Sequence, residues 1–179
     1  QCPSCYTVVN HSTDSKGTGM DELRYNQHSS RDAIDAQHLT PIVHRLLDDN
    51  QAAIRHWQRR ELHGIGGGLG GTQIVLFQGQ ADTSNGERDW SLVLKILHKQ
   101  PASDPDAPHY WRREVEVFRS GFINSFDCKL RTPRCYAIEC FDEACWLWLE
   151  YIEESTPNWN EVQFMRAARH LGQFNGSYT

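Results

Sequence analysis

The stretch WSLVLKILH, residues 90–98, decides how this chain folds. Side chains alternate sides along a strand, so Leu92, Leu94 and Ile96 point one way while Val93, Lys95 and Leu97 point the other. Both sets are apolar except for Lys95, and a strand apolar on both sides is expected to be covered on both sides. A lysine in the middle of such a run is costly unless it is paired or holds an anion, although a long stem can also carry its charge to water. The neighbouring segments must therefore supply a partner for Lys95 or a path to solvent.

Just upstream, ADTSNGERD (81–89) is rich in turn formers, and Asn85-Gly86 is a hairpin signal. Before it, Thr72 to Gln78 reads as a strand, so the two strands form an antiparallel pair. The preceding segment is HGIGGGLGG, in which Gly66, Gly67, Gly68, Gly70 and Gly71 are broken only by Leu69. Such a run lets backbone approach a ligand with no side chain in the way. A dinucleotide-binding fingerprint must follow a strand and open a helix, whereas this run precedes a strand, so that reading is disfavoured.

Downstream, a helix is expected over about 109–120 (HYWRREVEVFRS), stopped by Gly121. Trp111, Val115 and Phe118 fall at i, i+4 and i+7 and define its inner face. Glu114 borders that face and Glu116 points away. An inward glutamate and a mid-strand lysine explain each other: each is the partner the other lacks. Residues 131–141 and 144–152 then read as a second hairpin around Asp142-Glu143, and EESTPNWN (153–160) as a linker to a final amphipathic helix at about 159–175.

Upstream of the glycines, residues 31–60 read as helical. Ser30 is the expected N-cap, and Pro41 interrupts with Thr40 capping a second helix. Ile42, Leu46 and Leu47 share a face, and Ile54 and Trp57 continue the apolar pattern at helical spacing. Residues 1–30, rich in Ser, Thr, Asp, Asn and Gly, read as a mobile tail. The element order of helix, two strands, helix, two strands, linker and helix points to an α+β fold.

Whole-chain composition agrees with one domain having a real core: 179 residues, 39% hydrophobic, 23% charged, net charge −5. No broad basic surface favours nucleic acid. No apolar run reaches the roughly 18 residues that span a bilayer. These features suggest a cytoplasmic protein. Cys2 and Cys5 form one close pair, but Cys128, Cys135, Cys140 and Cys145 are spaced unlike a zinc site, and they read as reduced, small apolar residues within strands.

A glycine-rich turn, a strand lysine, an inward helix glutamate and an apolar strand ending in a linker, in that order, resemble the N-terminal lobe of the protein-kinase-like fold. The wording is similar to the aminoglycoside phosphotransferase and choline kinase-like branch. LVLKIL resembles its lysine strand, Arg113-Glu114 its helix pair, LWLEYIEE its hinge, and FMRAARHLGQFNGSY the first helix after the hinge. The resemblance covers residues 62–178. It implies a tail (1–30), an N-terminal helical segment (31–61), a kinase-like N-lobe (62–152), and a hinge linker with the first helix of a C-lobe (153–179).

The resemblance further implies that Gly66, Gly67, Gly68, Gly70, Gly71 and Thr72 cover the phosphates of ATP. Lys95 would bind the α- and β-phosphates, held by Glu114. Leu149 would back the adenine pocket, and the backbone of Glu150 and Ile152 would bond the adenine edge. The family's catalytic aspartate, in an H-x-D segment, and its magnesium ligands lie beyond the helix after the hinge, and no H-x-D occurs in these residues. The expectation is half a nucleotide site, inactive alone, whose hydroxyl-bearing acceptor is held by a missing C-terminal lobe. The alternative is a free-standing or degenerate kinase-like module that binds a protein partner without catalysis.

Overall fold

A computed structural model describes residues 34–62, 72–100, 104–107, 109–125, 130–154 and 158–176. The tail and the glycine run lie outside these residues. In chain order the elements are α1 (Ala36–Leu47), β1 (Ala53–Glu61), β2 (Thr72–Thr83), β3 (Gly86–His98), α2 (Arg113–Arg119), a 3-10 turn (Phe122–Ser125), β4 (Cys135–Cys140), β5 (Ala144–Glu150) and α3 (Glu161–Gly176). The strands form one antiparallel sheet in the order β1-β2-β3-β5-β4. This is an α+β domain.

The central strand β3 is flanked by β2 and β5 and carries apolar residues on both faces, as its pattern requires. Val75, Phe77, Leu92, Leu94, Ile96, Trp146 and Trp148 form one face, buried with Leu39, Ile42, Val43 and Leu47 of α1. Leu97, Ile138, Cys145, Leu147 and Leu149 form the other, buried with Val115 of α2. The β2–β3 hairpin turns through Ser84 and Asn85, and Gly86 takes a φ of 102°, a conformation that costs a side-chain-bearing residue dearly.

Two upstream expectations are corrected. Residues 53–61 are an edge strand, not a helix, so the sheet begins at Ala53. The register shifts between Ile54 and His56, and this bulge inserts one extra residue. With that residue inserted, Ile54 and Trp57, three apart, both pack on the same core face. A bulged strand thus imitates helical spacing. Pro41 also sits inside one continuous helix instead of dividing two. An interior proline costs about 3 kcal/mol. Burying Leu39, Ile42, Val43 and Leu47, at about 1.5–3 kcal/mol each, outweighs it. The cap is Asp35, which accepts a hydrogen bond from the His38 backbone N–H at 2.8 Å.

α1 is pinned to the far sheet edge by polar contacts as well. Glu139 Oε1 lies 3.1 Å from His38 Nε2 and accepts from Trp148 Nε1 at 3.0 Å. A third correction concerns the cysteines: Cys140 and Cys145, read as reduced, are joined by a disulfide across the closing rung of the β4–β5 hairpin. The last helix starts with a capping box, in which Asn160 Oδ1 accepts from the Gln163 N–H and Gln163 Oε1 accepts from the Asn160 N–H. α3 buries no residue, and Val162, Phe164, Met165 and Leu171 are all exposed. Among the described residues no helix is long and apolar enough to cross a membrane.

Candidate functional site

The antiparallel ladders place Lys95 opposite Ile74 of β2 and Leu147 of β5, in the middle of the sheet. Its side chain leaves the face on which α2 packs. That helix is seated by the fully buried Val115, with Trp111 and Phe118 against the same cluster. Glu114, the residue before Val115, is thereby held at the border between helix and sheet. Lys95 Nζ donates to Glu114 Oε2 at 2.5 Å, and the two side chains are 26% and 36% exposed. Neither charge is fully desolvated, so Glu114 fixes the Lys95 ammonium in place while both groups keep access to solvent.

Two residues complete this surface, of which the sequence reading placed Val93 on the Lys95 face and missed Ile74. Ile74, directly opposite Lys95, and Val93, two residues before it, share the Lys95 face and are only half-buried. Together with the buried Leu149, which pairs with Val93, they make an apolar strip beside the ammonium. The signal was present. Counting down the hairpin from the Thr83–Gly86 rung reaches Ile74 opposite Lys95.

The glycines Gly66, Gly67, Gly68, Gly70 and Gly71 fall outside the described residues. Immediately after them, Thr72 opens β2, exposed and opposite Leu97. The Leu62 N–H donates to the Ile74 carbonyl at 2.9 Å, which holds the residue after β1 at the Lys95 level of the sheet. A cavity of about 560 Å³ opens at this end, lined by Thr72, Leu97, Trp111, Glu114, Phe118 and Pro133 among others. Glu114 therefore faces the cavity on one side and Lys95 on the other.

At the other end of the strip, β5 ends at Glu150. Its N–H is already used by the Arg134 carbonyl at 2.8 Å. Its carboxylate accepts from Arg131 Nη2 at 2.6 Å and from the Arg134 N–H at 3.1 Å. Burial pushes that carboxyl up, but the two hydrogen bonds and the charges of Arg131 and Arg134 outweigh it and hold it below the ordinary value. The Glu150 side chain thus braces the entry to β4, a role the sequence reading did not assign. Ile152 lies beyond the sheet and is half-exposed.

Trp146 and Trp148 are buried core residues, whereas Trp159 is exposed and its ring lies tilted against that of Phe164, with centroids 5.5 Å apart. Among the described residues no three His, Cys, Asp or Glu side chains gather to hold a metal. Chemically the site offers a fixed ammonium, an apolar strip and a strand end, beside a cavity that His98 and His109 also line. Comparison of the chain with protein-family models, with curated proteins and with solved structures found no match.

Proposed function

We propose that this chain is the nucleotide-binding part of an ATP-dependent small-molecule phosphotransferase of the aminoglycoside phosphotransferase-like kind. The observation that carries the reading is the Lys95–Glu114 pair, a strand lysine held by a helix glutamate on an otherwise apolar sheet face. An ammonium so placed suits two phosphate oxygens, and Glu114 keeps it extended over the site in the absence of ligand. Ile74, Val93 and Leu149 offer an adenine-sized apolar surface next to it. In this reading Gly66, Gly67, Gly68, Gly70, Gly71 and Thr72 close over the phosphates. The backbone of Glu150 and Ile152 meets the adenine edge, and since the Glu150 N–H is occupied, its carbonyl is the group left to accept there.

Phosphoryl transfer depends on positioning and charge neutralisation more than on covalent help. A base, magnesium ligands and the site for a hydroxyl-bearing acceptor are then the contribution of a second lobe. The exposed Val162, Phe164, Met165 and Leu171 on α3 support that division, because a helix following the hinge is where such a lobe would pack. The same exposed face favours a second reading, a kinase-like module that docks on a protein partner through α3.

The test is magnesium-ATP stabilisation of the protein, compared with Lys95→Ala. Binding adds RT ln(1 + [L]/Kd), about 2.7 kcal/mol at a hundredfold excess over Kd, which a thermal shift reads directly. A shift in the parent that is lost in Lys95→Ala supports the assignment, and equal shifts in both refute it.

A further inference from the structure

We propose that Cys140 and Cys145 form a reversible thiol–disulfide site whose reduction is favoured by Arg119. The two cysteines are Cα partners on the last rung of the β4–β5 hairpin, beyond which the Phe141 N–H already donates to the Ala144 carbonyl. A bond between residues 140 and 145 closes a very short loop, and a cross-link stabilises less as its loop shortens. The hairpin also holds the same two positions together without it. The disulfide is therefore a weak staple.

Its surroundings favour the opposite state. Arg119 of α2 directs Nη2 at Cys140 Sγ from 3.3 Å. A guanidinium at that distance interacts weakly with a disulfide sulfur and strongly with a thiolate, so it stabilises the reduced form and makes the bond more reducible. Arg119 also lies 3.7 Å from the exposed Glu116 carboxylate, which offsets part of its charge without occupying the nitrogen that faces the sulfur. Cys140 is half-exposed whereas Cys145 is fully buried, so one sulfur is open to attack and its partner is protected.

The exchange balances with an external thiol as reductant. A thiolate attacks Cys140 Sγ, the S–S bond breaks, and Cys145 leaves as a thiolate that takes up a proton. A second external thiolate attacks the sulfur of the mixed disulfide that came from the reductant. Cys140 then leaves as a thiolate facing Arg119, and the reductant is released as its own disulfide. Two electrons pass from two external thiols to the protein. Because Arg119 belongs to the helix that carries Glu114, the redox state of the hairpin also sets how tightly the end of that helix is held.

The experiment is a titration of the whole chain against graded reduced and oxidised dithiothreitol. Differential alkylation and peptide mass spectrometry then read Cys140 and Cys145. The two are expected to change state together, with Arg119→Gln needing at least threefold more reductant and Arg119→Lys staying within twofold of the parent. In the reduced protein, alkylation of Cys140 near neutral pH should slow at least threefold in Arg119→Gln. Three outcomes overturn the proposal: no Cys140–Cys145 bond under oxidising buffer, a bond that survives excess dithiothreitol in the native protein, or an Arg119→Gln midpoint equal to that of the parent.

Discussion

Replacing Glu114 by Gln keeps the size of the side chain and removes the charge that faces Lys95. Two opposite unit charges about 4 Å apart attract by about 4 kcal/mol at an effective dielectric constant near 20. Side-chain exposures of 26% and 36% reduce the net value, because both groups keep water and screening in the folded state. Exposed pairs contribute about 0.2–1 kcal/mol, and breaking a buried pair costs about 3–5 kcal/mol. This half-buried pair falls between, with a coupling of about 1–2 kcal/mol.

The two single substitutions should differ. Glu114→Gln strands an ammonium on a strand between Ile74 and Leu147, whereas Lys95→Met leaves a more exposed carboxylate in the first turn of a helix. A carboxylate is favoured there by the free N–H groups. Glu114→Gln is therefore expected to destabilise by about 1–2 kcal/mol and Lys95→Met by less than about 1 kcal/mol, since it also adds an apolar side chain to an apolar face. Urea denaturation of the parent, both single variants and the double variant gives the coupling as a double-mutant cycle. A coupling below about 0.3 kcal/mol, or Lys95→Met costing more than Glu114→Gln, would refute this account of how the site is held.

Packing and titration carry other consequences. A Cβ at Gly79 would sit 2.3 Å from the His56 carbonyl oxygen and 2.8 Å from the Trp90 ring. Gly79→Ala should thus lower the unfolding free energy by about 1–3 kcal/mol, and an unchanged urea midpoint would show that the β1–β2 contact is loose. The hydrogen bond with Glu139 raises the His38 imidazole above 6.5, burial lowers it, and the charges of Glu139 and Asp35 raise it further. A raised native value means stability that is fully present below the unfolded value and lost as pH rises through the native one. Urea midpoints should therefore fall along this limb, and His38→Gln should flatten it. The Glu150 carboxyl has the opposite sign: held below its ordinary value, it contributes stability that is lost as pH falls through the native value. Glu150→Gln should reduce the acid-limb slope, measured by thermal melts between pH 6 and 3, while leaving magnesium-ATP shifts unchanged at neutral pH.

Much of this protein follows from local pattern. Alternation in WSLVLKILH is a strand property whatever surrounds it, so a sheet covered on both faces could be read directly, as could the inner face of α2 from Trp111, Val115 and Phe118. The opposed charges of Lys95 and Glu114 were legible because burial of an unpaired charge is penalised wherever it occurs, so each implied the other. What the local pattern could not settle was where one period stands in for another. Ile54 and Trp57, three residues apart, suit a helix face and a bulged strand equally, and only pairing of β1 with β2 selected the strand. Pro41 is a helix breaker by its own chemistry, and only the sheet beneath α1 supplied enough buried area to retain it in a continuous helix.

Residues that act through distant partners were beyond reach for the same reason. Nothing near Glu150 in the chain announces Arg131, and nothing near Cys140 announces Arg119. The sequence by itself determined the strands, the hairpins and the need for a charge partner, because those depend on side-chain period and desolvation. The pairing and bulge of β1, the Cys140–Cys145 bond and the contact of Arg131 with Glu150 were decided only when the sheet closed and brought non-neighbours within van der Waals and hydrogen-bonding distance.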